Sequence, residues 1–272
     1  MLECGPSFKV RTLTAADLPH AMALSDIAGW NQSEADWRRL LHLDPKACLC
    51  VECEDKVVAT TTLITYGTEL AWLGMVLTHR NYLRRGFARS LVRSALDIAE
   101  ARKVLSIELD ATEQGLDLYR ALGFREEHPI ERWSGNSRRG SALSRVGQLA
   151  DKHLVLDRQA FGADRTEVLH SLSKTAFVEP GGFAMQRPGI RAAQLGPCVA
   201  SSKAVAQRLI ASCLSTYRGD WYWDLLPSNP SAVAIADEFG FKRARRLLRM
   251  VKGKERRGLH SMIYAGSGFE LG

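Results

Sequence analysis

Residues 71–124 leave this chain few ways to fold. The apolar run Trp72-Leu73-Gly74-Met75-Val76-Leu77 has the length of a strand and is bounded by polar residues. A short basic loop then brings Arg84-Arg85-Gly86-Phe87-Ala88 to the start of a long helix. Ala88, Leu91, Val92, Ala95 and Ala99 recur at three-four spacing and mark its apolar face. Residues 104–110 read as a second strand, with Leu105, Ile107 and Leu109 on one face. Thr112 is placed to cap a second helix that closes on Leu122-Gly123, glycine standing at the C′ position. Strand, glycine loop, helix, strand, helix describes a parallel βαβ unit whose first helix starts beside a strand end. The unpaired N–H groups of such a terminus suit a phosphate-bearing ligand.

The flanking sequence extends this unit in both directions. Residues 8–12 read as a strand, and Thr14 caps a helix through Ile27 carrying Leu18, Met22 and Leu24. Ser33 caps another through Leu43. Residues 47–52, 56–65 and 69–77 read as consecutive antiparallel strands, and residues 124–133 as one more. The polar, small-residue stretch 134–141 suits a linker or a long hairpin loop. A chain of 272 residues has room for two domains of about 150 each, and the boundary is set near Ala150: residues 1–149, then 150–272. In the second part Asp164 caps a helix through Ser173. Strands are expected at 176–178, 182–187 and 190–195, a helix at 202–215, and a strand at 221–226. Asn229, with Pro230 at the first helical position, caps a last helix ending at Phe239-Gly240.

The two parts repeat each other. Leu109-Asp110-Ala111-Thr112 followed by Leu122-Gly123-Phe124 parallels Leu226-Pro227-Ser228-Asn229 followed by Phe239-Gly240-Phe241. The copies differ where chemistry is expected. Tyr119 is matched by Ala236, and the Arg84–Ala88 loop by Ser201-Ser202-Lys203-Ala204-Val205, which has no glycine. The second copy therefore reads as a scaffold.

Several function classes fall away. No stretch approaches the roughly 18 apolar residues of a membrane span. The start, MLECGPSFKVRTL, has no basic-then-apolar signal pattern, so the cytoplasm is expected. Cys48, Cys50 and Cys53 have no second ligand pair at zinc spacing; with Cys4, Cys198 and Cys213 they are read as buried free thiols, and no metal is expected. The net charge of +7 is partly concentrated in the run from Lys242 to Arg257. Without interleaved aromatics for base stacking, that run reads as a solvated strand edge guarded by cations rather than a nucleic-acid surface.

These residues resemble the GNAT superfamily of N-acetyltransferases. The family's phosphate loop, Gln/Arg-x-x-Gly-x-Gly/Ala, falls on Leu83-Arg84-Arg85-Gly86-Phe87-Ala88, with Leu83 in place of the first polar residue. Its tyrosine followed by x-x-x-Gly-Phe falls on Tyr119 to Phe124. The whole chain resembles a subgroup with a degenerate second GNAT-like domain, on Phe161-Gly162-Ala163-Asp164-Arg165 and Leu195-Gly196-Pro197. The resemblance implies an α/β fold of tandem GNAT-like domains, each a mixed sheet flanked by helices. It also implies an acetyl-coenzyme A-dependent N-acetyltransferase acting by direct attack of a small-molecule or amino-acid-like amine. Backbone atoms of Met75, Val76 and Leu77 would then hold the pantetheine amides. The N–H groups of Arg85, Gly86, Phe87 and Ala88 would hold the pyrophosphate, with Arg84, Arg85 and Arg89 available to phosphates, and Tyr119 would protonate the departing thiolate.

Trp30 and Asn31 are the candidate acceptor-binding pair; Trp37 nearby suits the core better. A lysine-like amine is neutral in only about one molecule in 2,500 at pH 7, so a base should assist. Glu69, Glu108, Asp110 and Asp157 are all open to that role. Two other functions stay open beside the enzyme: a non-catalytic acyl-coenzyme A-binding regulator, and a nucleic-acid module using Arg243, Arg245 and Arg246. A homo-oligomer is also open.

Overall fold

The computed structural model describes residues 8–137, 142–173, 175–255 and 258–272. Cys4, residues 138–141 of the polar stretch, and Arg256 and Arg257 of the basic run lie outside the described residues. The chain divides into two compact units, Met1–Val104 and Leu105–Gly272.

In the first unit four antiparallel strands lie in chain order: β1 (Lys9–Thr12), β2 (Cys48–Cys53), β3 (Lys56–Tyr66) and β4 (Leu70–Thr78). Helices α1 (Leu18–Ile27), α2 (Glu34–Leu43) and α3 (Phe87–Ala101) accompany them. α2 starts where a reciprocal capping box fixes it: the Ser33 N–H donates to Asp36 Oδ2 at 2.8 Å, and the Asp36 N–H to Ser33 Oγ at 3.3 Å. Thr14 and Asp17 form a second box, opening a 3-10 turn before α1. The fork of Arg11 on Asp17 holds that carboxyl well below the usual carboxylate range. Its contribution to stability is present above the ordinary carboxylate range and fades as pH falls through the lowered folded value. Trp37 is fully buried and donates from Nε1 to Ser25 Oγ at 3.0 Å, which assigns it to the core. α3 buries Leu91, Val92, Ala95 and Ala99 of the expected face, whereas Ala88 is half-buried and Phe87 takes the buried place at its start.

The second unit begins with β5 (Ser106–Ala111), α4 (Leu116–Ala121) and β6 (Arg125–Ser137). It continues through β7 (Arg145–Gly147), α5 (Asp151–Phe161), α6 (Thr166–Leu172), β8 (Ala176–Glu179), β9 (Gly182–Arg187) and β10 (Ala193–Ala200). α7 (Lys203–Leu214), β11 (Gly219–Leu225), α8 (Pro230–Glu238), β12 (Lys242–Gly253) and β13 (Ile263–Ala265) complete it. Its strands run β5-β12-β6-β11-β10-β9-β8-β7, with β13 also on β10. The repeats exchange strands: β12 lies between β5 and β6, and β6 lies between β11 and β12. Trp133, Trp221, Trp223 and Phe241 fill the core between this sheet and α7 and α8.

The register of the repeat is explicit in the two helix ends. Phe124 N–H donates to the Tyr119 carbonyl at 3.0 Å, and Phe241 N–H to the Ala236 carbonyl at 2.9 Å. Gly123 and Gly240, at φ of 87° and 79°, make the two turns. The starts differ: Asn229 caps α8 through its side chain, whereas Thr112 makes no side-chain cap and α4 is preceded by a 3-10 turn.

Four expectations are corrected. The basic run is not a solvated edge: β12 is an interior strand whose Arg249 is buried against Asp110. Ser134 to Ser137 is no linker, because these residues extend β6 along β11. Leu105 stands just before β5 and is exposed, so the buried face of that strand begins at Ile107. β10 also starts at Ala193 rather than at Ile190, which is exposed.

Cys48, Cys50, Cys53, Cys198 and Cys213 are free and buried. Burial pushes the Cys50 thiol up to about 11 and Cys48 up to about 12. Since only the thiolate reacts readily, a Cys4→Ser protein should leave these five thiols unmodified by Ellman's reagent at pH 8 until denaturant is added. Rapid labelling of the native protein would contradict this burial.

Candidate functional site

β4 carries a strained bulge. Thr60 pairs with Leu77 and Thr62 with Gly74, so Met75 and Val76 stand opposite the single residue Thr61. Met75 is buried at φ 51°, a left-handed conformation that costs a non-glycine residue on the order of 1–3 kcal/mol. Neighbouring hydroxyls hold it there: Thr60 Oγ1 donates to the Met75 carbonyl at 2.9 Å and Thr61 Oγ1 to the Gly74 carbonyl at 3.2 Å. The bulge breaks the regular ladder at the residues expected to offer backbone groups. Leu77 remains committed to β3 on one side.

The loop after β4 turns sharply into α3. A 3-10 turn over Arg80–Tyr82 is closed by His79, whose Nδ1 accepts from the Asn81 N–H at 3.3 Å. Leu83 follows with its side chain exposed; then Arg84 at φ 62° and Gly86 at φ 83° turn the chain into α3. A left-handed residue followed by helical ones points successive N–H groups into one concavity. The first backbone bond of α3 runs from Ser90 N–H to the Gly86 carbonyl at 3.0 Å, so the first-turn amides have no partner within the helix. A Cβ on Gly86 would meet no atom within 4 Å beyond its chain neighbours, so the glycine is held here by its backbone angle rather than by crowding. Phe87 anchors the turn, buried beside Tyr82 at 6.2 Å and Phe8 at 4.9 Å between ring centres. Arg84, Arg85 and Arg89 are exposed and make no ion pair among the described residues; Arg85 lies over the Tyr82 ring at 5.0 Å. Open amides with three exposed guanidiniums, none in an ion pair among the described residues, fit a pyrophosphate.

Tyr119 belongs to the second unit, on α4. Its ring is buried and meets Phe124 edge-on at 5.8 Å. Gly115, four residues earlier, makes room for it: a Cβ there would stand 2.8 Å from the tyrosine ring. Burial pushes the phenol well above its ordinary range, and no neighbouring charge or hydrogen bond among the described residues contributes. The hydroxyl is therefore neutral at physiological pH and able to donate. Gly115 was not singled out by the sequence, although its spacing from Tyr119 is the signal that could have found it.

Trp30 and Asn31 follow α1 in the first unit. Trp30 is half-buried, its N–H bonded to the Ser25 carbonyl at 2.9 Å, and Asn31 is buried. Of the carboxylates considered as bases, Asp110 is gripped by both nitrogens of Arg249 at 2.9 and 3.0 Å. Asp157 is gripped likewise by Arg165 at 2.9 Å. Both are structural. Glu108 is wholly buried, and Glu69 is exposed at a turn.

Comparison with known proteins matches these features in order. Residues 15–124 match the family profile described as Acetyltransferase (GNAT) family, and residues 154–265 the one described as Acetyltransferase (GNAT) domain. The chain belongs to the GNAT family of acetyltransferases. An uncharacterized N-acetyltransferase of Bacillus subtilis strain 168, YitH, is 25% identical over 205 residues, covering 69% of this chain and 71% of that protein. The crystal structure of a putative acetyltransferase from Pyrococcus horikoshii superposes with a TM-score of 0.88 at 22% identity, over 100% of this chain and 98% of that one. A tandem GNAT protein from the clavulanic acid biosynthesis pathway superposes with a TM-score of 0.66 at 15% identity, covering 91% and 98%. These likenesses establish a tandem GNAT fold.

The second GNAT domain lacks both features of the first. Where Gly86 leaves amides open, Ser202 caps α7 with its side chain, accepting from the Val205 N–H at 3.4 Å. The groove between its parallel strands is also filled. β10 and β11 pair only from Ala193 to Leu195; beyond, β13 lies antiparallel along β10, opposite Cys198 and Val199. β13 reaches β11 as well, through the Trp223 Nε1 bond to the Tyr264 carbonyl at 2.7 Å and the Gly266 N–H bond to the Asp224 carbonyl at 2.7 Å. Gly196 accommodates the close approach, since a Cβ there would stand 2.0 Å from the Gly266 carbonyl oxygen. No helix among the described residues is long and apolar enough to cross a membrane.

Proposed function

We propose that this acetyltransferase uses acetyl-coenzyme A to acetylate the amine of a small-molecule or amino-acid-like acceptor by direct attack. In this reading residues 1–149 form the catalytic domain, and residues 150–272 form a GNAT-like domain that supports it or shapes the acceptor site. The supporting observation is the cradle at Gly86, with its left-handed turns and open amides. Acetyl-coenzyme A, when bound, would supply the acetyl group as an activated thioester, with the coenzyme A thiolate as leaving group. The amides of Arg85 to Ala88 and the guanidiniums of Arg84, Arg85 and Arg89 bind its pyrophosphate. Each hydrogen bond to such a charged group contributes about 1.5–3 kcal/mol. Backbone of Met75, Val76 and Leu77 orients the pantetheine arm. Tyr119 Oη gives its proton to the departing thiolate, whose ordinary pKa of about 8.5 lies below that of a buried phenol. Trp30 and Asn31 contribute to the acceptor pocket.

Gly86→Val tests the cradle, because valine resists the left-handed turn. Isothermal titration with coenzyme A should show affinity about tenfold lower, the loss of one charged hydrogen bond. Unchanged affinity would remove the cradle. A transfer screen over amines, amino acids, polyamines and peptides then tests the reaction. Tight coenzyme A binding with no turnover across it would favour an acyl-coenzyme A-binding regulator instead.

A further inference from the structure

α4 has only six residues, too few to hold a shape by itself. Its C-terminal turn is tied to the second repeat by one hydrogen bond. Gly123 closes the helix at φ 87°, just after the Leu122 carbonyl. Lys252 of β12 donates to that carbonyl from Nζ at 3.0 Å. The lysine lies close over this turn: a Cβ at position 123 would stand 2.7 Å from its Nζ, so a side chain there would push the ammonium aside. The other end of the segment is tied to the same strand. Asp110, two residues before Thr112, is held by the bidentate grip of Arg249, three residues before Lys252 on β12. Between these ties β12 runs in register along β5, Met250 opposite Leu109 and Lys252 opposite Ile107.

We propose that Lys252 is a positioning residue for the reaction: β12 of the second repeat braces α4 through the Leu122 carbonyl and so fixes the Tyr119 phenol. The inference rests on the reading of Tyr119 as the acid. It gives the second GNAT domain a share in a centre whose donor lies in the first repeat. The lysine touches neither substrate nor the reacting atoms. It acts through the turn 122–124, whose Phe124 packs edge-on against the tyrosine ring. A cation at a helix C-terminus also suits the local dipole.

The test labels the six tyrosines with 3-fluorotyrosine and identifies the Tyr119 signal in the 19F spectrum by its loss in Tyr119→Phe. In Lys252→Met, which keeps the aliphatic stem, that signal should shift or split, and in Lys252→Arg it should return to the wild-type position. Turnover of acetyl-coenzyme A with an amine from the transfer screen should fall about tenfold in kcat for Lys252→Met, with KM nearly unchanged, as a misplaced group predicts. In the Tyr119→Phe background the same substitution should lower kcat no further. An unmoved Tyr119 signal would overturn the brace, as would a full additional loss in the double variant. Tyr119→Phe with wild-type turnover would instead overturn the acid, and with it the catalytic meaning of the brace, whatever the spectrum shows.

Discussion

Tyr119→Phe should lower kcat by about 100-fold or more, the lower end of what a positioned general acid contributes. The phenylalanine keeps the ring between Gly115 and Phe124 and removes only the oxygen. Coenzyme A affinity by titration and the thermal midpoint should therefore stay close to wild type, which separates chemistry from packing. Burial raises the phenol above its ordinary range, so the acid stays protonated through mildly alkaline pH. No fall in kcat from loss of this proton is expected below about pH 10, the ordinary phenol value. Near-wild-type turnover would remove the assignment.

Arg249→Met should cost about 3–5 kcal/mol of stability, because it strands the Asp110 carboxylate in the interior. Both side chains are almost completely enclosed, at 3% and 0% exposure, and no water can take over from the lost guanidinium. Urea unfolding at pH 7 measures the deficit. It should shrink as pH is lowered, since protonating Asp110 removes the stranded charge and the variant then loses less relative to wild type. Combining it with Asp110→Leu should recover most of the loss, as an apolar pair of similar volume often does. A single variant with an unchanged midpoint would mean that the pair contributes nothing at this crossing of the repeats.

Much of the fold was legible because its signals are local. Ser33 and Asp36 fix the start of α2 through hydrogen bonds three residues apart, and Asn229 with Pro230 fixes α8 in the same way. The turn into α3 was legible because a left-handed residue before a helix selects glycine, and Gly86 stands there. Strand partnership is not local. Nothing in Lys242 to Gly253 names its neighbours, and its cations suggest an edge until Arg249 finds Asp110, 139 residues earlier. α5 went unread because Leu154, Val155 and Leu156 are contiguous rather than periodic, and Val155 is in fact exposed. The bulge at Met75 leaves no mark in composition, since methionine is an unusual residue for a left-handed turn.

β13 has a meaning for how the duplicated chain could specialise. The second copy of the fold carries its own peptide in the groove between β10 and β11, tethered to the same molecule. Any outside molecule would have to displace a competitor whose effective concentration is of the order of millimolar and which never diffuses away. A groove so stoppered is freed from the demands of exchange. Its walls could then drift in sequence toward packing alone, while the first copy kept the glycine and the tyrosine.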